Sequence, residues 1–199
     1  EHYKLDYNSK VYGNVIDATI DTPLNPQDFY GLTKTSVDQF AQYYHKYFDT
    51  RVLIVRSCNM YGFDLNPSRL IPSIILDCMS GKDPTIKAPL SREAQSASYP
   101  KIFPARQFVY VGDAVAAIRM YIDDSFNMTV PFIVHIVQDP LMTTKTVADI
   151  ILRHFPERCL QYKQTETNEI FEQSLKVDVP ANILEHVPHR SSFETGITK

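Results

Sequence analysis

Asp28-Phe29-Tyr30-Gly31-Leu32-Thr33-Lys34 is the stretch on which the reading of this chain turns. Asp28 is a capping residue type, and after it Val37, Phe40, Ala41, Tyr44 and Phe48 recur at helical spacing, so a helix is expected from here to about Phe48. The aromatic stripe is most simply a core face. Tyr30 and Lys34 stand four residues apart, which places both on one face of that helix. A fixed positive charge beside a phenol favours phenolate, and such a pair can carry general acid and base chemistry at neutral pH. Taken alone, the pair is read more simply as a tyrosine packed at a helix start beside a solvated lysine. Its neighbours change that reading.

Upstream stand Ser9, Lys10, Val11, Tyr12 and Gly13. Downstream come Arg56, Ser57, Cys58, Asn59, Met60, Tyr61 and Gly62, then Arg106, Gln107, Phe108, Val109, Tyr110, Val111, Gly112 and Asp113. This series resembles the extended short-chain dehydrogenase/reductases, and within them the nucleotide-sugar epimerases and 4,6-dehydratases. Their pattern runs Ser-Ser/Thr-x-x-Val-Tyr-Gly, Tyr-x-x-x-Lys, Arg-x-x-Asn-x-Tyr-Gly-Pro and Arg-Asp-Phe/Trp-x-Tyr-Val-x-Asp. The ending from Ser191 to Ile197 also resembles the family's final helix start, so the likeness covers about Ser9 to Lys199.

Composition sets the outer bounds. The 199 residues are 44% hydrophobic, enough for one good core or one domain with a small lobe. A net charge of -3 leaves no electrostatic footprint for nucleic acid or an anionic membrane. No apolar run is long enough to span a bilayer and no signal-peptide pattern opens the sequence, so a cytoplasmic protein is expected. The three cysteines and six histidines show no metal-ligand spacing.

Taken in order, Glu1 to Ser9 alternates like a strand, and Val15 to Phe29 reads as a loop broken by Pro23 and Pro26. Val52 to Val55 is a continuous apolar run, the signature of a parallel strand covered on both faces, and its exit holds Asn59. A helix is expected over Pro67 to Ser80, ended by Gly81, and a short strand at Thr85 to Ala88. Leu90 to Ala105 is polar and without period, an insertion near the substrate or a partner. Asp113 is expected to cap a helix carrying Val115, Ile118 and Ile122. Pro131 to Val137 reads as a strand, Thr144 as the cap of the next helix, and Glu166, Glu169 and Glu172 as a solvated face.

The resemblance implies an α/β fold: part of a Rossmann-like doubly wound parallel sheet with a small C-terminal substrate-binding lobe. Residues 1–62 then form the back of the dinucleotide domain, and 63–199 mostly the lobe, with 108–137 returning to the sheet. It further implies transient oxidation of a sugar hydroxyl at C4 with NAD or NADP. Tyr30 is the acid/base, and Lys34 tunes it and holds the cofactor ribose. Asn59 contacts a nucleotide-diphosphate sugar, and Arg106 clamps its phosphates, a task suited to the guanidinium fork. The family's catalytic serine or threonine falls on Asn8, which can donate an amide hydrogen bond, while the nearest hydroxyl is Ser9. Gln107 stands where the family has aspartate, and Phe63 where it has proline.

The six glycines, at 13, 31, 62, 81, 112 and 196, make no Gly-x-Gly or Gly-x-x-Gly turn, so the pyrophosphate-binding half of the site is absent from these residues. Three readings follow: the back portion of a longer enzyme, a chain whose other half comes from a second chain, or a non-catalytic scaffold. Among reactions, the Asp-Glu pair that many 4,6-dehydratases place after their threonine is replaced by Ser9 and Lys10. An epimerase or related reductase is therefore preferred to a dehydratase. A Rossmann-like module for another ligand would leave the Arg106 motif unexplained. The family also dimerises through the helix that bears the tyrosine, so a homodimer is expected.

Overall fold

A computed structural model describes residues 14–26, 28–89, 103–124, 132–138, 140–165, 172–175, 187–188 and 190–199. The expected strand at 1–9, and Asn8 and Ser9 with it, lie outside the described residues. So does most of the polar insertion. Its end is packed inside, with Phe103, Pro104 and Ala105 buried.

Helix α1 (Phe29–Phe48) begins as its sequence requires. Asp28 is extended, and its carboxylate accepts the Gly31 amide at 2.5 Å, satisfying one of the orphan donors of the first turn. His45 and Lys46 stand in the last turn, where positive charge suits the helix dipole. Asp49 closes the helix in the left-handed region, at φ 50. The chain then turns back into β2 (Leu53–Ser57), which pairs in parallel with β7 (Phe132–Ile136) from Leu53 opposite Phe132 to Ser57 opposite Ile136. These are the apolar runs expected from sequence.

At the end of β2 the chain changes neighbours. The Cys58 amide still donates to Ile136 O at 2.9 Å, but the next amide, of Asn59, donates to Gln107 O at 3.2 Å. From there β3 (Asn59–Tyr61) pairs in parallel with β6 (Phe108–Tyr110). The switch brings two motifs that are far apart in sequence side by side.

Helix α2 (Leu70–Met79) starts later than the pattern suggests, since Pro67 and Ser68 form a turn. It ends at Gly81, whose φ of 78 lets the Gly81 amide reach Cys78 O and the Lys82 amide reach Asp77 O. Strand β4 (Thr85–Pro89) pairs in parallel with β9 (Gln161–Thr165). Helix α3 (Val111–Asp124) follows β6 directly, so Asp113 lies inside its first turn and is not its cap. Helix α4 (Thr144–Leu152) is capped by Thr143, whose hydroxyl accepts the Thr146 amide at 3.0 Å, one residue before the expected cap.

Asn14–Ala18, expected as loop, is strand β1. Its partner is β10 (Glu172–Leu175), more than 150 residues away, so nothing in the local sequence announces it. Beyond β10 the sheet continues through β5 (Ala105–Arg106), in parallel, to β8 (Met142–Thr143), antiparallel. Glu172, read as part of a solvated face, is in β10, while Glu166 and Glu169 lie outside the described residues.

Burial falls in two cores. One packs α3 on β2 and β7 through Val109, Ala114, Ala117, Val134 and Ile136. The other joins α2, α4 and the C-terminal helix α5 (Phe193–Ile197) through Ile74, Ile86, Phe108, Val147, Ile151 and Phe193. The aromatic stripe of α1 belongs to neither. Val37 and Phe40 are each 65% exposed, and Tyr44 and Phe48 are exposed too, because Gly31, Thr35 and Asp38 are the residues turned inward. A polar side facing the sheet reverses the expected orientation.

Candidate functional site

A 20-residue helix that returns into a parallel strand through a short turn runs antiparallel to it, so the first turn of α1 stands beyond the carboxyl end of β2. Tyr30 and Lys34 therefore sit at the sheet edge where Asn59 emerges, the side on which parallel α/β sheets take ligands. Tyr30 is 58% exposed, and the Lys34 ammonium lies 5.5 Å from the centroid of its ring. Among the described residues Lys34 has no carboxylate partner. An exposed phenol and an ammonium with open donors fit the ribose end of a nicotinamide dinucleotide.

Asn59 is exposed at the start of β3. Its backbone contact with Gln107 places it beside the residue that follows Arg106. Arg106 is half-buried in β5, with Nη1 donating to Ala105 O at 2.8 Å. The structure thus pairs Tyr30 with Lys34, and Asn59 with the Arg106 segment. Among the described residues no group of three or more His, Cys, Asp or Glu could hold a metal ion.

The link between the two pairs went unread in the sequence. Asp38 and Arg56 form a buried fork: Arg56 Nε donates to Asp38 Oδ2 at 2.8 Å and Nη2 to Oδ1 at 3.2 Å. Their side chains are 6% and 5% exposed. Arg56 Nη1 also donates to Ile20 O at 2.9 Å, and Gln42 Nε2 donates to Asp38 Oδ1 at 2.7 Å. A signal existed, since Tyr30, Lys34 and Asp38 follow one another at helical spacing.

Tyr61 has a structural part. Burial, with the Asp113, Tyr110 and Glu194 charges behind it, pushes its phenol well above the ordinary tyrosine range. The hydroxyl donates to Ser192 O and Phe193 O at 3.4 and 3.3 Å. A Cβ on Gly196 would come within 2.0 Å of that oxygen, so only glycine lets α5 sit here. Asp113 completes the tie by accepting the Ser191 amide at 2.7 Å, and Ser192 caps α5 by accepting the Thr195 amide at 3.2 Å.

Parallel strand pairs packed with helices define a Rossmann-like α/β protein. The chain belongs to the NAD dependent epimerase/dehydratase family, whose sequence pattern matches residues 8–136. It is 31% identical over 111 residues to the low-salt glycan biosynthesis protein Agl12 of Haloferax volcanii, a match covering 55% of this chain and 32% of that protein. Its fold resembles UDP-glucuronic acid 4-epimerase from Bacillus cereus, solved with UDP-glucuronic acid and NAD. The TM-score is 0.73 at 18% identity, over 96% of this chain and 57% of that one. It also resembles dTDP-glucose 4,6-dehydratase from Bacillus anthracis, solved with NAD, at TM-score 0.69 and 21% identity, over 91% of this chain and 53% of that one. The chain spans about a third of the curated relative and about half of these solved structures.

Proposed function

We propose that this chain supplies the acid/base and sugar-nucleotide half of an NAD(P)-dependent epimerase or related oxidoreductase that works by transient oxidation at C4. The observation that carries the reading is the exposed Tyr30 and Lys34 pair beyond β2, at the edge where Asn59 emerges beside the Arg106 segment. The dinucleotide, when bound, supplies the hydride acceptor. The Tyr30 oxygen takes the proton of the sugar hydroxyl and returns it, and Lys34 holds a ribose hydroxyl. Asn59 and Arg106 hold the sugar nucleotide, Arg106 through its phosphates. Asn8 or Ser9 supplies the remaining donor to the sugar. The same residues suit a 4,6-dehydratase, and Ser9 with Lys10 in place of an acidic pair favours the epimerase. A non-catalytic scaffold would have no use for a bare phenol and ammonium side by side.

The outward face of α1 supports a contact with a second copy. Val37, Phe40, Tyr44, Tyr47 and Phe48 leave an apolar band too broad to suit water.

The test uses the natural full-length protein: intact mass, assay of released NAD(H) and NADP(H), and turnover of nucleotide-diphosphate sugars by the parent and Tyr30→Phe. Bound nicotinamide and a loss of kcat on the order of 100- to 10,000-fold with the fold intact support the reading. Full activity in Tyr30→Phe sinks it, and a natural protein with neither cofactor nor turnover points to the scaffold.

A further inference from the structure

We infer that the Asp38–Arg56 fork is the positioning element of this site, setting the height and roll of α1 and so the place of the Tyr30 oxygen. Three residues of α1 are buried against the body of the protein: Gly31, Thr35 and Asp38. Gly31 has no side chain, and among the described residues Thr35 Oγ1 has no hydrogen-bond partner. The large apolar residues of the helix point away. A helix seated on small and polar residues has few large side chains interdigitated to stop it sliding or turning, and burial alone has no direction. Of the three, Asp38 is the residue whose side chain makes directed bonds, through both oxygens to one planar guanidinium.

The position suits the task. Asp38 follows Tyr30 by about two helical turns and Lys34 by about one, on the neighbouring inward face, so a rigid shift of the helix at Asp38 carries both with it. Arg56 stands on β2, three residues before Asn59, and its third bond holds Ile20 in the segment leading to the helix start. One guanidinium therefore ties the approach to the helix, the helix itself and the strand that delivers Asn59. Buried ion pairs are often matched in stability by apolar residues of similar volume, so fixed geometry is what such a pair contributes here.

The inference rests on reading Tyr30 and Lys34 as the reacting pair, and its test separates the two. In the full-length protein, Asp38→Leu is combined with Arg56→Met to keep the volume and lose the direction. Arg56→Lys keeps the charge and loses the fork. Each is made with 3-fluorotyrosine at position 30 and followed by melting temperature, ¹⁹F resonance and steady-state kinetics. The expected result is a variant that melts close to the parent, with a split or displaced ¹⁹F line. Its kcat falls on the order of 100-fold while KM holds within about threefold, because a small misplacement costs the chemical step more than binding. An unmoved line in a folded variant, or a moved line with full kcat, overturns the inference. If the double variant does not fold, Arg56→Lys decides by the same two readouts. If the parent turns over no nucleotide sugar, the reading of function fails, and the ¹⁹F line alone decides whether the fork sets the helix.

Discussion

Helices α1 and α4 carry similar apolar periodicity and turn it in opposite directions. In α4, Val147, Ala148, Ile150 and Ile151 face the core, while Lys145 and Asp149 form an exposed ion pair at 2.5 Å. In α1, Thr35 and Asp38 face inward, and Val37, Phe40, Tyr44 and Phe48 face out. Helix α4 is held by burial, about 1.5–3 kcal/mol for each large apolar side chain. Helix α1 is oriented by the Asp38–Arg56 fork. A helix seated on small and polar residues takes its register from directed bonds.

That contrast can be broken at either helix. Asp38→Ala leaves the Arg56 guanidinium buried without its carboxylate and is expected to cost about 3–5 kcal/mol, read from urea unfolding. A cost below about 1 kcal/mol would mean that packing holds α1 after all. Ile151→Ala in α4 opens a cavity in the core that joins α2, α4 and α5, and about 2–5 kcal/mol is expected by the same measurement. Gly196→Ala forces Tyr61 aside and should cost about 1–3 kcal/mol, and Tyr61→Phe in the same chain should recover part of it by making room. Phe40→Ser, on the bare face of α1, should change stability by less than about 0.5 kcal/mol in dilute solution. The same change should shift sedimentation of the natural protein towards the monomer. A dimer that survives it places the contact elsewhere.

Much of this was legible from residue types. Asp28 before Tyr30 located the helix start, Gly81 located the end of α2, the apolar run from Val52 read correctly as a parallel strand and Pro131 to Val137 as a strand, because each signal is local. Strand β1 was not legible, since its hydrogen bonds go to a segment far along the chain. Thr143 displaced Thr144 as a cap because two adjacent threonines offer the same hydroxyl and only the backbone chooses. The stripe from Val37 to Phe48 misled for a different reason. Periodicity shows that a helix has two faces, and it does not say which of them meets the sheet.

The sequence by itself determined the family, through short motifs in a fixed order, and the residue types able to carry acid/base and phosphate chemistry. It also determined where most helices and strands lie, because caps, glycine turns and apolar runs act over a few residues. The tertiary structure decided what depends on distant partners. It paired Asn59 with the Arg106 segment across β3 and β6, joined Asp38 to Arg56 beneath the helix of Tyr30, and turned the aromatic face of that helix outward. These are long-range choices, settled by which surfaces find each other when the chain folds.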